Sequence, residues 1–457
     1  MKVEEAEKRT PAIAIASHGC KLNQAEADAL ARRFYEAGYR VVDARQTADI
    51  YILNSCTVTQ TADSKARQWL RGAHRLSPKA LIVATGCYAQ RAPEEIASIQ
   101  GITLVVGNND KEGLVDMVQT LRPSHGGAPL LSPEEETPIF YAARTRAFVK
   151  IQDGCNQFCS FCIIPFTRGR ENNVPITRVV EEIKARVAEG YKEVVLTGPQ
   201  IGSYGLYPPT LSSRNNPDYD GRLHGLVERI LADTAIERLR LSSIQPQDLT
   251  PRLLACWADP RLCRHVHMAL QSGSERVLKD MRRRYSLGEY MKAVEALRGA
   301  VPDIAITTDV MVGFPREGEE QFWESYEFCR RVGYAAMHVF SYSSRSGTMA
   351  AEMAHQVKES VKKERVGLMM GQGRRSAENF RRRFIGRRMK VLWEEEREED
   401  GKRLWAGLTD NYIRVFTESV EPLRNRPTQV LLTDKAQEGL WGRLEESEIQ
   451  NHSYMEE

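Results

Sequence analysis

Three short apolar runs near the amino terminus each end in a cysteine: AIAIASHGC closes on Cys20, DIYILNSC on Cys56 and ALIVATGC on Cys87. Between them lie QAEADALARRFYEAG and DSKARQWLRGAHRL, whose apolar residues recur at helical spacing. Short strands alternating with amphipathic helices predict a parallel sheet flanked by helices. Parallel strands expose their carboxyl ends along one edge, where open α/β sheets place ligands. Each cysteine sits just past its strand, and glycine supplies a tight turn before Cys20 and Cys87. The fold is therefore expected to gather three thiols that are distant in the chain into one metal site. The alternative is three unrelated buried cysteines, a common fate for any one of them.

A second set, Cys155, Cys159 and Cys162, follows the strand-like AFVKIQ in the same manner, within CNQFCSFC. Such a loop can wrap three thiolates around three corners of a cubane iron–sulfur cluster and leave the remaining iron for an exchangeable ligand. A structural zinc wants a closed shell of four ligands. Zinc completed by a remote His or Asp is the rival, and the apolar FCIIPF setting without a nearby His counts against it. Nine cysteines in a reducing compartment point to metal binding or catalysis rather than disulfides. Cys256, Cys263 and Cys329 lack ligand spacing and read as packing residues.

At 457 residues the length fits roughly three domains. With 42% hydrophobic and 27% charged residues the chain reads as soluble and globular. Its acidic start is unlike a secretory signal, and no apolar stretch approaches the roughly 20 residues that span a bilayer. A cytoplasmic protein without membrane contact is expected. RPSHGGAPLLSPEEETP reads as a linker. Beyond it AFVKIQ, EVVLTG, RLRLSSI, HVHMALQ, IAITTDVMVGF and AAMHVFSY are strand candidates separated by helical material. They predict a partial (βα)6 barrel with its reactive face at the strands' carboxyl ends. Past Phe384 the short runs MKVLWEE, RLWAGLT, YIRVFTE and TQVLLT predict a small antiparallel β-barrel of about 60 residues.

The fold class is thus α/β throughout the first two domains: a parallel-sheet three-layer domain over 1–121, a linker over 122–143 and a barrel domain over 144–382. The β-barrel module occupies 383–447. Lys362 to Lys390 carries eleven basic residues against two acidic ones. That run reads either as a solvated helix face or as a phosphate-binding surface.

With both triads in view, the chain resembles the radical S-adenosylmethionine methylthiotransferase family from end to end. The motifs that carry the match are GCKLNQAEAD, ILNSCTVT, ATGCYAQ, VKIQDGCNQFCSFCIIPFTRGR, LQSGSERVLKDMRRRY, TDVMVGFP and FSYSSRSGTMA. The resemblance implies a TRAM-like, RNA-binding carboxy-terminal module and two [4Fe-4S] clusters. Cys155, Cys159 and Cys162 would hold the radical cluster, whose open iron chelates S-adenosylmethionine. Cys20, Cys56 and Cys87 would hold an auxiliary cluster carrying the sulfur to be transferred. One S-adenosylmethionine would methylate that sulfur and a second would yield the radical that takes hydrogen from C2 of an adenine.

GCKLNQ and VVLTGPQIGSYG look most like the branch acting on N6-threonylcarbamoyladenosine beside the anticodon. The implied partners are the tRNA anticodon stem-loop, a reductase or flavodoxin-type electron donor and a sulfur donor that the sequence does not identify. The N6-isopentenyladenosine branch and the branch acting on a ribosomal protein aspartate are the alternatives within the family. A non-catalytic iron–sulfur RNA-binding protein and a zinc RNA-binding protein are alternatives of another class. Phe161, Gly198, Ser243 and Gln271 stand where the superfamily contacts its cofactor, though each also suits packing or turn chemistry. Asp309 and Arg345, at later strand ends, are candidates for substrate contact. Trp393 and Trp405 are candidates for base stacking or for core. Three positions depart from the family pattern: Ser17-His18 before Gly19, Pro199-Gln200 after LTG, and Arg316 where glycine is frequent.

Overall fold

The computed structural model describes residues 10–124, 145–206, 222–399 and 401–445. The expected linker lies outside the described residues except for 122–124. The first domain is a five-stranded parallel sheet in the order β2-β1-β3-β4-β5. Its strands are β1 (Ala12–His18), β2 (Arg40–Val42), β3 (Ile50–Ser55), β4 (Leu81–Gly86) and β5 (Leu104–Val106). β3 is central and buried along its whole length, as a near-continuous apolar run predicts for a strand covered on both faces. Alternate residues separate the two faces. Ala12, Ala14, Tyr51, Leu53 and Ile82 pack under Leu70 and Ala73 of helix α2 (Gln60–Leu76). Ile13, Ile50, Ile52 and Val83 pack under Leu30 and Phe34 of helix α1 (Lys21–Glu36). Three layers result, as expected. The short edge strands β2 and β5 were not anticipated from the sequence.

The central domain has parallel strands Arg146–Lys150, Glu193–Thr197 and Arg238–Leu241 in one sheet. A second parallel sheet runs from Ser243–Ile244 through His265–Met268 and Ala305–Val312 to Ala336–Ser341. A parallel bridge between Leu239 and Leu262 connects the two. Arg146–Lys150 and Ala336–Ser341 lie at opposite edges, so the barrel is partial. Helix α1 of the first domain packs directly on Arg146–Lys150, at the open side.

The helix Glu359–Arg382 leads into five strands, Arg388–Glu399, Lys402–Thr409, Arg414–Glu418, Pro427–Ala436 and Gly439–Leu444, which form a closed barrel. Its neighbours run antiparallel except for Arg414–Glu418 with Gly439–Leu444, which pair in parallel. Trp393 and Trp405 are 0% and 1% exposed, so both are core and neither is a stacking platform. The basic run divides by burial. Lys362 and Arg365 are interior and bonded to Glu359 and Glu317 at 2.7 Å each, whereas Arg374, Arg382, Arg388 and Lys390 are exposed.

The turn between the second and third barrel strands enters the foot of the central domain. Arg240 Nη1 donates to Asp410 O at 2.9 Å, Arg264 pairs with Asp410 at 2.6 Å, and His265 stacks on Tyr412 with ring centres 4.4 Å apart. The amino-terminal ends of the central strands are thereby plugged, and their carboxyl ends stay open toward the first domain.

Candidate functional site

β1, β3 and β4 deliver Cys20, Cys56 and Cys87 to one edge of the sheet. Gly19, at φ +146°, lets the first loop nest on the second: a Cβ there would lie 2.6 Å from Cys56 Cβ. Gly86, at φ +95°, does the same for the third loop, where a Cβ would lie 2.5 Å from Ser55 O. These are left-handed or bridging conformations that glycine alone adopts cheaply. Cys56 and Cys87 are buried. Cys20 keeps accessible surface. Burial pushes the Cys56 thiol up to about 12, with Cys20 and Cys87 adding to the shift, and burial raises Cys20 too.

Cys155, Cys159 and Cys162 form a second nest past the strand Arg146–Lys150. Gly154 at φ +65° turns the chain so closely that a Cβ would lie 2.0 Å from Arg170 O. Cys155 N donates to Gly169 O at 3.2 Å and Cys162 N to Cys159 O at 3.0 Å. Arg283 Nη1 donates to Cys159 Sγ at 3.3 Å, and Gln157 N to Cys155 Sγ at 3.5 Å. Burial drives Cys155 up to about 11 and Cys162 to about 12, and Cys159 raises both further. Buried thiols of this kind become thiolates only against strong positive charge, which a metal supplies.

Among the described residues no three His, Cys, Asp or Glu side chains converge closely enough to hold one metal ion. Thiolates on one tetrahedral zinc stand roughly 4 Å apart. Those of a cubane sit on separate irons, and three cysteines leave one of its four corners without a protein ligand.

One arginine joins the nests. Arg168, six residues past Cys162, donates from Nε to Cys87 Sγ at 3.1 Å. Its Nη1 meets Glu26 Oε1 at 2.8 Å and Asp153 Oδ1 at 2.9 Å. Glu26 also receives Lys111 Nζ at 2.7 Å. A second joint pairs Arg345 with Asp63 at 2.6 Å, while Arg345 Nε donates to Val58 O at 3.2 Å. Arg345 therefore ties the domains together, and two of its nitrogens are committed to that role.

The other expected positions differ in their surroundings. Phe161 packs edge-on against Phe314 at 6.4 Å, within an apolar cluster. Gly198 touches Gln152, where a Cβ would stand 2.9 Å from its Cβ. Ser243 is half-buried on its short strand. Gln271 adopts φ +67°, and its buried Oε1 lacks a partner, as suits an acceptor awaiting an N–H donor. Asp309 receives His267 Nε2 at 3.3 Å and His338 Nδ1 at 3.4 Å. Arg316, in place of a frequent glycine, takes φ +66° itself. Gln200, one of the departures from the family pattern, is buried and donates to Asp248 Oδ2 at 2.7 Å.

Sequence reasoning missed Arg168, Arg283 and Asp248. Burial lifts the Asp248 carboxyl to about 6, and the amide of Gln245 and side chain of Gln200 only partly offset it. Arg283 sits in MRRRY between two exposed arginines, so nothing in the residue order singled it out. The signal for Arg168 was its place in TRGR, directly after the cysteine loop.

Residues 12–107 match the family model described as "Uncharacterized protein family UPF0004", and residues 149–329 match "Radical SAM superfamily". The chain is 36% identical to a threonylcarbamoyladenosine tRNA methylthiotransferase MtaB of Bacillus subtilis (strain 168), covering 96% of this chain and 98% of the relative. It is 36% identical to the Aquifex aeolicus (strain VF5) protein of that name, over 89% and 96% of the two chains. A tRNA-2-methylthio-N(6)-dimethylallyladenosine synthase of Desulforamulus reducens is 34% identical over 91% of each chain. In fold, the chain is similar to the radical S-adenosylmethionine methyltransferase TsrM from Kitasatospora setae. That comparison gives a TM-score of 0.54 at 15% identity, covering 75% of this chain and 77% of that one.

Proposed function

Because the chain belongs to the radical S-adenosylmethionine methylthiotransferases that modify tRNA, we propose that it places a methylthio group on C2 of N6-threonylcarbamoyladenosine next to the anticodon. The single observation that carries this reading is the pair of three-cysteine sets, each following a parallel strand, with Arg168 just past the second set donating to Cys87 of the first. Cys20, Cys56 and Cys87 would hold the auxiliary [4Fe-4S] cluster, and Cys155, Cys159 and Cys162 the radical one. When bound, these groups and two molecules of S-adenosylmethionine supply sulfur, methyl group and a carbon-centred oxidant. An aromatic C–H has no proton acidic enough for a side-chain base, so the protein's own task is to position and to exclude water.

This chain's residues are suited to that task. Arg283 and Arg168 each donate to a cysteine sulfur, one in each nest, and so fix that side chain's orientation. Gln271, Gly198, Ser243 and Phe161 are the proposed contacts of S-adenosylmethionine, with Gln271 Oε1 the acceptor free to take an N–H. Asp309 is held by two imidazoles and faces the interior as a fixed acceptor. Asp410 and Tyr412 tie the carboxy-terminal barrel to the foot of the central domain. Arg374, Arg382, Arg388 and Lys390 provide an exposed basic flank on which a tRNA backbone can lie. The target base must leave its stack to reach the interior, at a cost of about a few kcal/mol that phosphate contacts can offset. We place the reaction in the cytoplasm, with a flavodoxin-type or other reductase as electron source.

The isopentenyladenosine reading has support in the 34% identity to a dimethylallyladenosine synthase. Anaerobically reconstituted protein should therefore be given reductant, S-adenosylmethionine and either tRNA, and the digested nucleosides weighed by mass spectrometry. A methylthio adduct on threonylcarbamoyladenosine alone is the expected result. An adduct on isopentenyladenosine alone overturns the substrate and keeps the chemistry, and no adduct on either tRNA overturns both.

A further inference from the structure

The turn that follows the helix Glu275–Asp280 carries three consecutive arginines, and they divide around the second cysteine loop. Arg283 turns inward: its Nη1 donates to Cys159 Sγ at 3.3 Å and its Nε to Tyr285 Oη at 3.1 Å. Arg282 and Arg284 on either side are exposed, and Arg284 Nη2 donates to Asn156 O at 3.0 Å. Ser160 closes the contact from the loop, its N on Met281 O at 3.1 Å and its Oγ on Asp280 O at 2.8 Å. One side chain therefore separates a solvent-facing turn from the sulfur of a proposed cluster ligand.

The face around this turn is basic. Val277 and Leu278 are buried, which leaves Arg276 and Lys279, three residues apart, on the outer side of the helix. Arg282 N donates to Lys279 O at 3.0 Å, so Arg282 continues that side. On the loop itself, the exposed Arg170 lies over the Phe158 ring, 4.3 Å from its centre. Among the described residues none of Arg170, Arg276, Lys279, Arg282 and Arg284 is ion-paired to a carboxylate. Other exposed arginines are: Arg330 meets Glu327 at 2.7 Å, and Arg229 meets Asp233 at 2.6 Å. The acidic side chains of the same stretch, Glu275 and Asp280, do not neutralise the patch. Glu275 accepts from Leu287 N at 2.6 Å, and Asp280 is half-buried. Clustered cations without counter-charges set up a positive field that steers an acidic partner.

We infer that this face receives an acidic one-electron carrier protein of the flavodoxin class, which delivers the electron that S-adenosylmethionine cleavage requires. The inference rests on the radical reading proposed above. The carrier's anionic flavin hydroquinone is oxidised to the neutral semiquinone, and the electron it releases reduces the four-iron cluster bound by Cys155, Cys159 and Cys162; no proton moves and no bond breaks. Two features favour such a carrier over an RNA backbone at this face. Electron transfer needs a short path from surface to cluster ligand, which Arg283 and the loop supply and which phosphate binding does not need. A small charged patch also suits the transient encounter of redox partners, which bury little surface.

The test uses the reconstituted holoenzyme, an acidic flavodoxin as probe and the triple variant Arg276→Glu/Lys279→Glu/Arg282→Glu. That variant leaves Arg170, Arg283 and Arg284 in place, and iron content and absorption confirm that it carries its clusters. Oxidised flavodoxin is expected to bind the wild type with an affinity that falls as salt rises from about 50 to about 300 mM. It should bind the variant about tenfold more weakly, the sum of three exposed charge pairs. Bleaching of the cluster absorbance by flavodoxin hydroquinone should slow in the variant. Bleaching by dithionite and binding of the anticodon stem-loop RNA should not change. Absent or salt-independent binding by the wild type, or equal binding by the variant, overturns the inference. So does a variant that loses RNA affinity, which would make the patch an RNA surface, or one slowed equally with dithionite, which would mark a structural role. If the wild type forms no 5′-deoxyadenosine with either reductant, the radical reading has failed instead.

Discussion

Arg168 and Glu26 meet through two hydrogen bonds, 2.8 Å and 3.1 Å long, across the boundary between the first domain and the barrel. Both side chains are nearly inaccessible, at 1% and 6% exposure. Glu26 stays ionised well below the usual carboxylate range: burial opposes its charge, but Arg168 and Lys111 outweigh burial. The guanidinium that makes this bond also reaches Cys87, so one side chain sets both the domain contact and the surroundings of a cluster ligand.

Arg168→Gln should therefore cost about 3–5 kcal/mol of stability, the range for breaking a buried pair and stranding its partner. Denaturant unfolding of the wild type and the variant measures it. A loss under about 1 kcal/mol would mean that the interface is held by packing and not by this pair.

Cys159→Ala should fold with an unchanged melting temperature, bind about half the wild-type iron and fail to cleave S-adenosylmethionine. Iron analysis, a thermal melt and a 5′-deoxyadenosine assay decide it. A variant that unfolds would favour clusters that only brace the chain.

Tyr412→Ala removes the ring that stacks on His265 and lies 5.1 Å beneath the Arg240 guanidinium. The expected loss is about 2–4 kcal/mol, from aromatic area plus the ring contact. Proteolysis should then release the carboxy-terminal barrel earlier than in the wild type. An unchanged cleavage pattern would show that the plug does not hold the two together.

The cysteine nests were readable because a strand followed directly by cysteine is a local pattern, and parallel topology does the rest. Arg168 and Arg283 were not readable as interior groups, because an interior arginine in TRGR or MRRRY has the same letters as a solvated one. Only the fold shows which carboxylates are spent. β2 and β5 escaped notice because three-residue edge strands are too short for any periodicity to register. Trp393 and Trp405 fit core and stacking equally well in the sequence. Closure of the barrel around them settled it, aided by the Trp393 Nε1 bond to Thr428 Oγ1 at 2.7 Å.

Stability should also depend on pH through the pair at the barrel wall. The Asp309 bond lifts His338 above its ordinary 6.5. What that bond contributes is fully present below the unfolded-state value and is lost as pH rises through the folded-state value. Burial opposes the Asp309 charge, yet His267 and His338 hold its carboxyl below the ordinary 3.8. Its contribution is present above 3.8 and disappears as pH falls through the folded value. The stability gap between wild type and His338→Asn should accordingly be wider at about pH 6 than at about pH 9. Denaturant titrations at the two values check the sign, and an equal gap would deny that the imidazole carries charge there.

The most direct test of the whole account follows one hydrogen. Anticodon stem-loop RNA bearing threonylcarbamoyladenosine deuterated at C2 should be turned over by the reconstituted protein, and the 5′-deoxyadenosine weighed. Deuterium in the 5′-deoxyadenosine, in step with methylthio product, is the result this account predicts. Methylthio product accompanied only by unlabelled 5′-deoxyadenosine would contradict it.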